Sequence, residues 1–262
     1  MHDPPDASRT PQKDVGAVFN AIRILASLAA STTPMGVAAV ARASGVSTST
    51  CFNILRTLTR ARYVAFHSTD KTYSLGLAIA ELAAGLIGTS PTALIRPEME
   101  RLALKHSMLV LLWRITEDDH VILVDRAHSQ SAIRVEISVG FRMPAFAGAV
   151  GRSIAAAAEL PPGELFRRFG TLRWQTNPGF ETYQSEVAAA KERGWAVDAN
   201  NLYNGIISVG AVITNADRVP QFGLSGVCIA GQCQTKALHQ FGQDLREIAD
   251  IAGKALYMSP RT

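Results

Sequence analysis

The chain has few of the residues that stabilise secreted proteins or anchor membrane proteins. Its 262 residues include three cysteines, Cys51, Cys228 and Cys233. An odd number without paired spacing predicts no disulfide framework and is typical of a reducing cytoplasm. No apolar run is long enough and free enough of charge to cross a bilayer, and the polar, proline-rich residues 1–14 lack the apolar core of a signal peptide. We expect a cytoplasmic protein that begins with a disordered arm over residues 1–14.

The sequence also lacks the motifs of catalysis and cofactor binding. Cys228 and His239 are the one conceivable Cys/His pair in the C-terminal part, and no motif surrounds them. The segment Gly148–Ser153 lacks the glycine spacing and the lysine of a nucleotide-binding loop. The histidines show neither an i, i+4 pair nor a link to the cysteines that would predict a metal site: His2, His67, His106, His120, His128 and His239. No enzyme, metal or cofactor is therefore predicted.

Charge is unevenly distributed along the chain, although the net charge is only +4. Residues 15–80 contain six basic side chains and one acidic side chain, Asp70, whereas residues 81–262 contain 18 of each sign. At 47% apolar residues, a chain of this length has enough material for two cores. A basic N-terminal domain indicates salt-dependent nucleic-acid binding, the alternative being charge that merely keeps the domain soluble.

The segment from Pro34 to Gly76 predicts a winged helix-turn-helix. Two helical patterns flank a turn at Gly45, and Ser47 is a suitable N-cap for the second helix. At 100° per residue its apolar positions share one face: Cys51, Ile54, Leu55, Leu58 and Ala61. The polar positions of the helix and its start are candidates for DNA contacts: Ser47, Thr48, Ser49, Thr50, Asn53, Arg56, Thr57 and Arg60. The alternative is an amphipathic helix whose polar face meets only water.

The flanking segments complete this domain. Residues 36–43 are small and apolar, as a positioning helix requires, and strand patterns at residues 63–66 and 72–75 form a hairpin, or wing, that offers Lys71 to the DNA backbone. From Val15, the helical spacing of Val18, Ile22, Leu25 and Leu28 predicts a first helix that packs against the winged module.

An apolar helix is predicted over residues 75–88, with Leu75, Ile79, Leu82 and Leu86 at helical spacing and Glu81 as the only charge. A helix this apolar should be buried. Pairing with the same helix of a second subunit across a two-fold axis would place the second helices of both helix-turn-helix motifs, the reader helices, on a palindromic operator. The alternative is packing against its own C-terminal domain. Pro91 and Pro97 are taken to mark the domain border.

The C-terminal part predicts an α+β domain. Strands are expected at 109–115, 120–127, 133–139, 196–199, 206–213 and 221–229, and helices at 152–158, 162–169, 183–193 and 235–257. This order predicts a sheet with helices on one side.

The chain resembles the IclR family of bacterial transcriptional regulators from Val15 to Tyr257. The resemblance rests on SGVSTSTCFNILRTL, TYSLG, VGFRMPAFAGAVGRSI, RGWAVDANN and GVCIAG, in that order. It implies a winged helix-turn-helix over residues 15–76, a linker helix over 77–91 and a GAF-like effector-binding domain over 92–262. It also implies that part of the first helix meets a partner subunit. Asn53 stands where the family usually has an arginine, so the resemblance implies DNA binding but does not indicate the operator sequence.

The resemblance also implies an effector pocket. Carried over position by position, backbone amides fall at Ala149 and Val150, an acidic contact at Asp198, polar contacts at Ser208 and Ser225, and apolar walls at Val135, Met143 and Ile206. A lysine of the family is replaced by Arg152, and Val227 replaces a serine expected in keto-acid binders. A larger carboxylate, such as an aromatic or other catabolic intermediate, is therefore favoured. From the residues alone, the serines could be core hydroxyls and Asp198 could cap a turn.

We therefore expect a sequence-specific, ligand-responsive DNA-binding regulator of a catabolic operon, acting as repressor or activator. It is expected to be a homodimer or a dimer of dimers that senses a small organic acid. Two alternatives remain open: a metabolite-binding sensor that acts through protein contacts, and a cryptic hydrolase.

Overall fold

A computed structural model describes residues 15–84, 90–129 and 134–257. The chain divides into two compact units, residues 1–89 and 90–262. We call the described parts of these units the head and the body. The predicted arm over residues 1–14, Leu86 and Gly88 of the predicted linker helix, and Ile133 lie outside the described residues.

The head contains four helices and a small sheet within the described residues. In chain order the elements are α1 (Gly16–Ala30), β1 (Met35–Gly36), α2 (Val37–Ser44), α3 (Thr48–Arg60), β2 (Val64–His67), β3 (Thr72–Leu75) and α4 (Leu77–Ala84). The sheet has the order β1-β3-β2 and is antiparallel. This is the predicted winged helix-turn-helix, with α3 as the reader helix and β2–β3 as the wing.

The turn between α2 and α3 forms as the sequence predicts. Gly45 ends α2 in the left-handed conformation at φ 65°, which glycine adopts without steric cost. Ser47 then caps α3, where its hydroxyl accepts a hydrogen bond from the Thr50 N–H at 3.3 Å. Cys51 and Leu55 of α3 are fully buried among side chains of α1, α2 and the sheet. The inner face of α3 thereby fixes the direction of its polar face.

Two predictions for the head were wrong in detail, and one strand was not predicted. On α1 the buried side chains are Ile24 and Leu28, whereas Val18 and Ile22 are 57% and 59% exposed. Ala61 follows α3 and is exposed. Strand β1 was not predicted, because two residues paired with Tyr73 and Thr72 of β3 leave no periodic signal.

The linker helix is shorter in its described part than the sequence predicts. Leu75 belongs to the wing, and α4 begins at Leu77. Ala78 is buried, whereas Leu77 and Leu82 are 81% and 65% exposed within this chain. The helix therefore presents large apolar side chains that its own unit does not cover.

In its described residues, the body is an antiparallel six-stranded sheet covered by helices. In chain order the elements are α5 (Pro91–His106), β4 (Leu109–Ile115), β5 (His120–Ala127), β6 (Arg142–Pro144), α6 (Gly148–Ala158), α7 (Pro162–Gly170), α8 (Phe180–Arg193), β7 (Ala196–Ala199), β8 (Ile206–Thr214), β9 (Pro220–Ile229) and α9 (Thr235–Tyr257). The strand order is β6-β5-β4-β9-β8-β7.

Helices cover both faces of this sheet, so the prediction that they lie on one side was wrong. Alternate residues of β4 point into different cores: Val110 and Leu112 pack with α5 and α9, and Leu111 and Trp113 pack with α6, α7 and α8. The central strands are consequently buried on both faces. The second of these cores contains the site described below.

Other differences in the body concern its loops and helix starts. Described residues 134–138 of the predicted strand 133–139 are irregular, and the edge strand is β6 instead. Pro91 and Pro97 both lie within α5, which was not predicted; Pro91 occupies the first turn behind the Ser90 cap. Helix α6 starts at Gly148 rather than Arg152, which places Ala149 and Val150 in its first turn.

None of the helices in the described residues is long and apolar enough to cross a membrane.

Candidate DNA interface and ligand cavity

The polar face of α3 is exposed throughout. All eight candidate positions on α3 and its cap are open to solvent: Ser47, Thr48, Ser49, Thr50, Asn53, Arg56, Thr57 and Arg60. Thr57 donates to the Asn53 carbonyl at 3.0 Å, and the hydroxyls of Ser47 and Thr50 bond to each other at 2.8 Å. Within the described residues the Asn53 side chain makes no hydrogen bond, and Arg56 and Arg60 make no ion pair. The amide and both guanidinium groups are therefore available to a partner.

An aromatic side chain that the sequence reasoning did not select borders this face. Phe52 is 45% exposed. It precedes Arg56 by one helical turn, so the two side chains are neighbours on the surface. An exposed ring beside hydrogen-bonding groups suits apolar contact with a thymine methyl in the major groove. Its position outside the apolar stripe of α3 was the signal in the sequence.

The wing places Lys71 at its tip, exposed and in the left-handed conformation at φ 54°. The strands behind it are held by the register His67–Thr72 and by a 2.9 Å hydrogen bond between the His67 ring and the Ser74 hydroxyl. The wing thus offers a cation from a well-defined hairpin.

In the body, all eight residues predicted for an effector pocket line one cavity of about 540 Å³. They come from the segment before β6, from β6 itself, from α6 and from strands β7, β8 and β9: Val135, Met143, Ala149, Val150, Asp198, Ile206, Ser208 and Ser225. Val227, the position at which a serine was expected, also lines it. Residues distant in sequence therefore converge on a single concave site.

The first turn of α6 supplies hydrogen-bond donors to this cavity. Ala147 precedes the helix without a side-chain cap, and the first N–H bonded within the helix is that of Gly151, at 3.1 Å from the Ala147 carbonyl. The N–H groups of Ala149 and Val150 are thus free in the described structure, at the positive end of the helix dipole. This arrangement suits an anionic oxygen.

Direct backbone packing holds the start of α6 in place. A Cβ at Gly210 of β8 would lie 2.7 Å from the Val150 nitrogen and 2.9 Å from the Ala149 carbonyl carbon. Any other residue at position 210 would push the helix away from the strand. The hydroxyl of Ser153, one turn further along α6, donates to the Gly210 carbonyl at 2.8 Å.

Ser225 is oriented by a tryptophan that the sequence reasoning missed. The Trp113 indole N–H donates to the Ser225 hydroxyl oxygen at 2.9 Å, and both residues are buried. The oxygen therefore acts as an acceptor towards Trp113, which leaves the hydroxyl proton to be donated into the cavity. Strand pairing brings the two residues together, since Leu111 of β4 lies opposite Ser225 of β9.

The basic residue of α6, Arg152, is not available to a ligand. Arg152 is fully buried and bonds to Asp198 at 2.8 Å, to Glu186 at 2.6 Å and to the Gly148 carbonyl at 3.0 Å. The other oxygen of Asp198 accepts the Leu202 N–H at 3.1 Å. Asp198 borders the cavity, but its carboxylate binds Arg152 and caps the turn that follows β7. This is the turn-capping role that the residues alone left open.

The cavity wall is more aromatic than the sequence alone indicated. Trp113, Phe141 and Tyr203 line it, with the Trp113 and Phe141 rings edge to face at a centroid distance of 6.3 Å. No lysine or arginine appears among the cavity-lining side chains of the described residues. The turn residues Leu202 and Asn204 had no sequence pattern that would have placed them here.

Among the described residues, the candidate cysteines and histidines do not form a metal-binding cluster. His239 stacks edge-on against Trp195 at 5.1 Å, while Cys228 belongs to the core cluster against which Cys233 packs. Across the residues described, no three His, Cys, Asp or Glu side chains are arranged to hold a metal ion.

Comparison with protein families decides the identity. Residues 17–68 match the IclR helix-turn-helix domain, and residues 91–252 match the C-terminal domain of bacterial IclR transcriptional regulators. The chain belongs to the IclR family. The members of this family are bacterial transcriptional regulators, and α3 lies within the matched helix-turn-helix domain.

Individual relatives are distant but extend over much of the chain. The Pca regulon regulatory protein of Pseudomonas putida is 25% identical over 166 residues, which are 62% of this chain and 56% of that protein. The glycerol operon regulatory protein of Streptomyces coelicolor is 23% identical over 222 residues, covering 79% and 82%. An IclR regulator of Alicyclobacillus acidocaldarius has the same fold, with a TM-score of 0.58 and 24% identity over 93% of this chain and 99% of that one.

Proposed function

We propose that this IclR-family protein is a ligand-responsive, sequence-specific regulator of a catabolic operon and that its effector is a small organic acid. The observation that carries the proposal is the cavity in which free amides of α6 and the Ser225 hydroxyl proton converge. Two relatives are named for an operon and a regulon that they regulate, which supports control of a gene set.

Sequence-specific reading is assigned to the exposed face of α3. Asn53 carries the amide that pairs with a base edge, and Arg56 and Arg60 contact guanine or phosphate. Lys71 adds a backbone contact from the wing. The hydroxyls around the Ser47 cap position the start of the helix against phosphate.

Assembly as a homodimer, or a dimer of dimers, is assigned to apolar surface that one chain leaves uncovered. Leu77 and Leu82 of α4 and Val18 and Ile22 of α1 are all more than half exposed. Covering these side chains with a second copy removes apolar surface from water. Two-fold pairing then presents two α3 helices to a palindromic operator.

The effector is a monocarboxylate with a flat apolar body. Its carboxylate binds the Ala149 and Val150 N–H groups and the Ser225 hydroxyl, since no cationic side chain reaches the cavity from the described residues. Its body packs against Trp113 and Phe141. A volume of about 540 Å³ lies within the range of roughly 300–1,000 Å³ that ligand sites occupy, which leaves room for a ring-bearing acid.

Regulation follows from a population shift. An acid that binds one conformational state of the dimer more tightly shifts the equilibrium towards that state. If the two states differ in the spacing of the two α3 helices, the acid also changes the affinity of the protein for the operator. The size of this change is limited by the ratio of the affinities of the acid for the two states.

The test is a titration of the full-length protein on a duplex covering the DNA upstream of its own gene. Fluorescence anisotropy of the duplex is followed as benzoate, hexanoate or glyoxylate is added. Benzyl alcohol serves as the matched ligand without a carboxylate. We expect benzoate to change the affinity for the duplex, benzyl alcohol to leave it unchanged, and glyoxylate to act only at much higher concentration.

Two variants test whether the benzoate response arises in the cavity. Ser225→Ala should weaken the benzoate response while leaving DNA binding without ligand intact, and exposed Ser185→Ala on α8 should behave as the unmodified protein. Equal loss of ligand response and basal DNA binding in Ser225→Ala would show that Ser225 only supports folding. Equal responses to benzoate and benzyl alcohol would disprove the carboxylate assignment.

A further inference from the structure

A second cavity of about 250 Å³ lies at the end of strands β4 and β9, next to the effector cavity. Val135 and Val227 line both cavities. The second cavity also contains the side chains of Cys228 and Cys233. Two of the three cysteines of the chain therefore line one small cavity, and the function proposed above uses neither.

The fold brings these two thiols together. Cys228 is the penultimate residue of β9 and is buried, whereas Cys233 lies in the turn before α9 and is partly exposed. Gly231 at φ 87° reverses the chain between them, and the Gln232 N–H closes the turn on the Ile229 carbonyl at 3.1 Å. Both thiols belong to one packed region, since Cys233 packs against the core cluster that contains Cys228. Burial raises the pKa of the Cys228 thiol.

Burial separates the two residues by reactivity. Cys228 is buried and shielded from oxidants in solution, while the partly exposed Cys233 is the thiol that a small oxidant can reach. Cys228 is then positioned to resolve an oxidised Cys233.

We propose that Cys228 and Cys233 form a reversible disulfide under peroxide and that this bond is a second, oxidative input to the effector cavity. In the first step the Cys233 thiolate attacks the peroxide: an S–O bond forms, the O–O bond breaks, and the leaving oxygen takes a proton to give water or an alcohol. In the second step the Cys228 sulfur attacks the Cys233 sulfenic acid, and its proton leaves with the hydroxyl group as water. Two electrons pass from the thiols to the peroxide, and a thiol reductant reverses the reaction.

The turn that carries Cys233 is bonded directly to the effector cavity. The Ala230 N–H donates to the Gly205 carbonyl at 2.7 Å. Gly205 immediately follows Tyr203 and Asn204, which form part of the cavity wall. Formation of the disulfide pulls the turn that carries Cys233 towards Cys228. This movement reaches the wall of the effector cavity through the Ala230–Gly205 hydrogen bond and through Val227, which lines both cavities. This coupling rests on the proposed function, whereas disulfide formation does not.

A single proteolytic peptide reports the chemistry. The folded full-length protein is exposed to hydrogen peroxide, acid-quenched, denatured, treated with iodoacetamide and digested with trypsin. Cleavage after Arg218 and Lys236 leaves both cysteines in the peptide of residues 219–236. We expect this peptide to lose both alkylation sites and two hydrogen atoms, and to regain both sites if dithiothreitol precedes the alkylation. Cys51, buried in the head, should remain alkylated.

Variants and a binding measurement complete the test. In Cys233→Ser, Cys228 should stay alkylatable after peroxide. In the unmodified protein, oxidation should shift the benzoate midpoint of the DNA titration, and in Cys233→Ser it should not. Retention of both alkylation sites, a sulfinic acid on Cys233 beside an alkylatable Cys228, or a cross-link between two chains would each overturn the disulfide. An unchanged benzoate midpoint in fully oxidised protein would overturn the coupling. If benzoate has no effect even on reduced protein, the proposed effector is wrong, but the peptide result still decides the disulfide.

Discussion

Basic side chains are used differently in the two units of the chain. In the described head, the six exposed basic residues Arg23, Arg42, Arg56, Arg60, Arg62 and Lys71 make no ion pair. In the body, most arginines are paired, from the exposed Arg101–Glu98 pair to the fully buried Arg152. Uncompensated like charges oppose compactness, so a domain that keeps six of them exposed indicates a polyanionic partner. Paired charges in the body serve its own structure.

The buried pair of the body should give the largest effect. Arg152→Met keeps the bulk against Trp174 and Tyr183 but leaves Asp198 buried without its cation. We expect the free energy of unfolding of the body to fall by about 3–5 kcal/mol, as measured by urea denaturation. Arg101→Met, which breaks a half-exposed pair, is the control and should leave the midpoint unchanged. An equal midpoint for Arg152→Met would mean that the ion cluster contributes nothing to stability.

On the reader helix, Asn53→Ala should separate specific from non-specific binding. Because the side chain is exposed and without a hydrogen bond in the described structure, its removal should leave the fold intact. We expect a loss of about 1–3 kcal/mol at the operator and little loss on a random duplex. Competition binding measures both, and far-ultraviolet circular dichroism checks the fold. A loss of the same size on both duplexes would remove Asn53 from base reading.

The stability of the body should depend on pH through the carboxylate of Asp244. Burial alone would raise the pKa of Asp244, but hydrogen bonds from Lys105, His106 and Gln240 hold it at about 2, below its ordinary 3.8. A lowered carboxylate pKa means that the ionised form stabilises the fold above pH 4. This contribution, up to about 2 kcal/mol, is lost as the pH falls from about 4 to 2.

The control for this titration is Asp244→Asn. The variant should be less stable than the unmodified protein at neutral pH, and the difference should shrink in the acid range. Urea denaturation at a series of pH values measures the difference directly. A constant difference from pH 7 to 2 would contradict the lowered pKa.

The smallest effect is expected for a single phosphate contact in the head. Arg60→Ala should weaken operator and random duplex alike and reduce the slope of log K against log salt by about 1. Lys254→Ala removes an exposed cation from α9 of the body and should leave the slope unchanged. A sequence-selective loss for Arg60→Ala would assign Arg60 to base reading instead.

Local patterns of the sequence predicted individual elements well. Strands β4, β5 and β7 and helix α9 have the predicted bounds. Apolar residues follow one another through much of β4 and β5, and a long helical period runs through α9. The Ser47 cap and the Gly45 turn were also predicted, because each depends on the chemistry of one residue. The α1 face was misassigned because Val18 and Ile22 are as apolar as Ile24, and the apolar pattern does not show which face its own domain covers.

Features that depend on strand order could not be read from the sequence. Trp113 reaches Ser225 only because β4 lies beside β9, and Arg152 meets Asp198 only because α6 crosses the end of β7. The presence of helices on both faces of the body sheet also depends on this strand order. The eight predicted cavity positions came from a family resemblance, which carries information about pairing that one chain's composition and periodicity do not contain.

The cavity has a fixed floor, where α6 approaches β8 closely, and a rim whose side chains can be substituted. At Gly210 no side chain fits without displacing the backbone that carries the amide donors, so the floor constrains which head group can be recognised. Phe141 and Tyr203 are partly open to solvent and can be replaced without moving a strand. Laboratory retuning of such a regulator into a biosensor for other acids should therefore vary these rim positions and leave Gly210 unchanged.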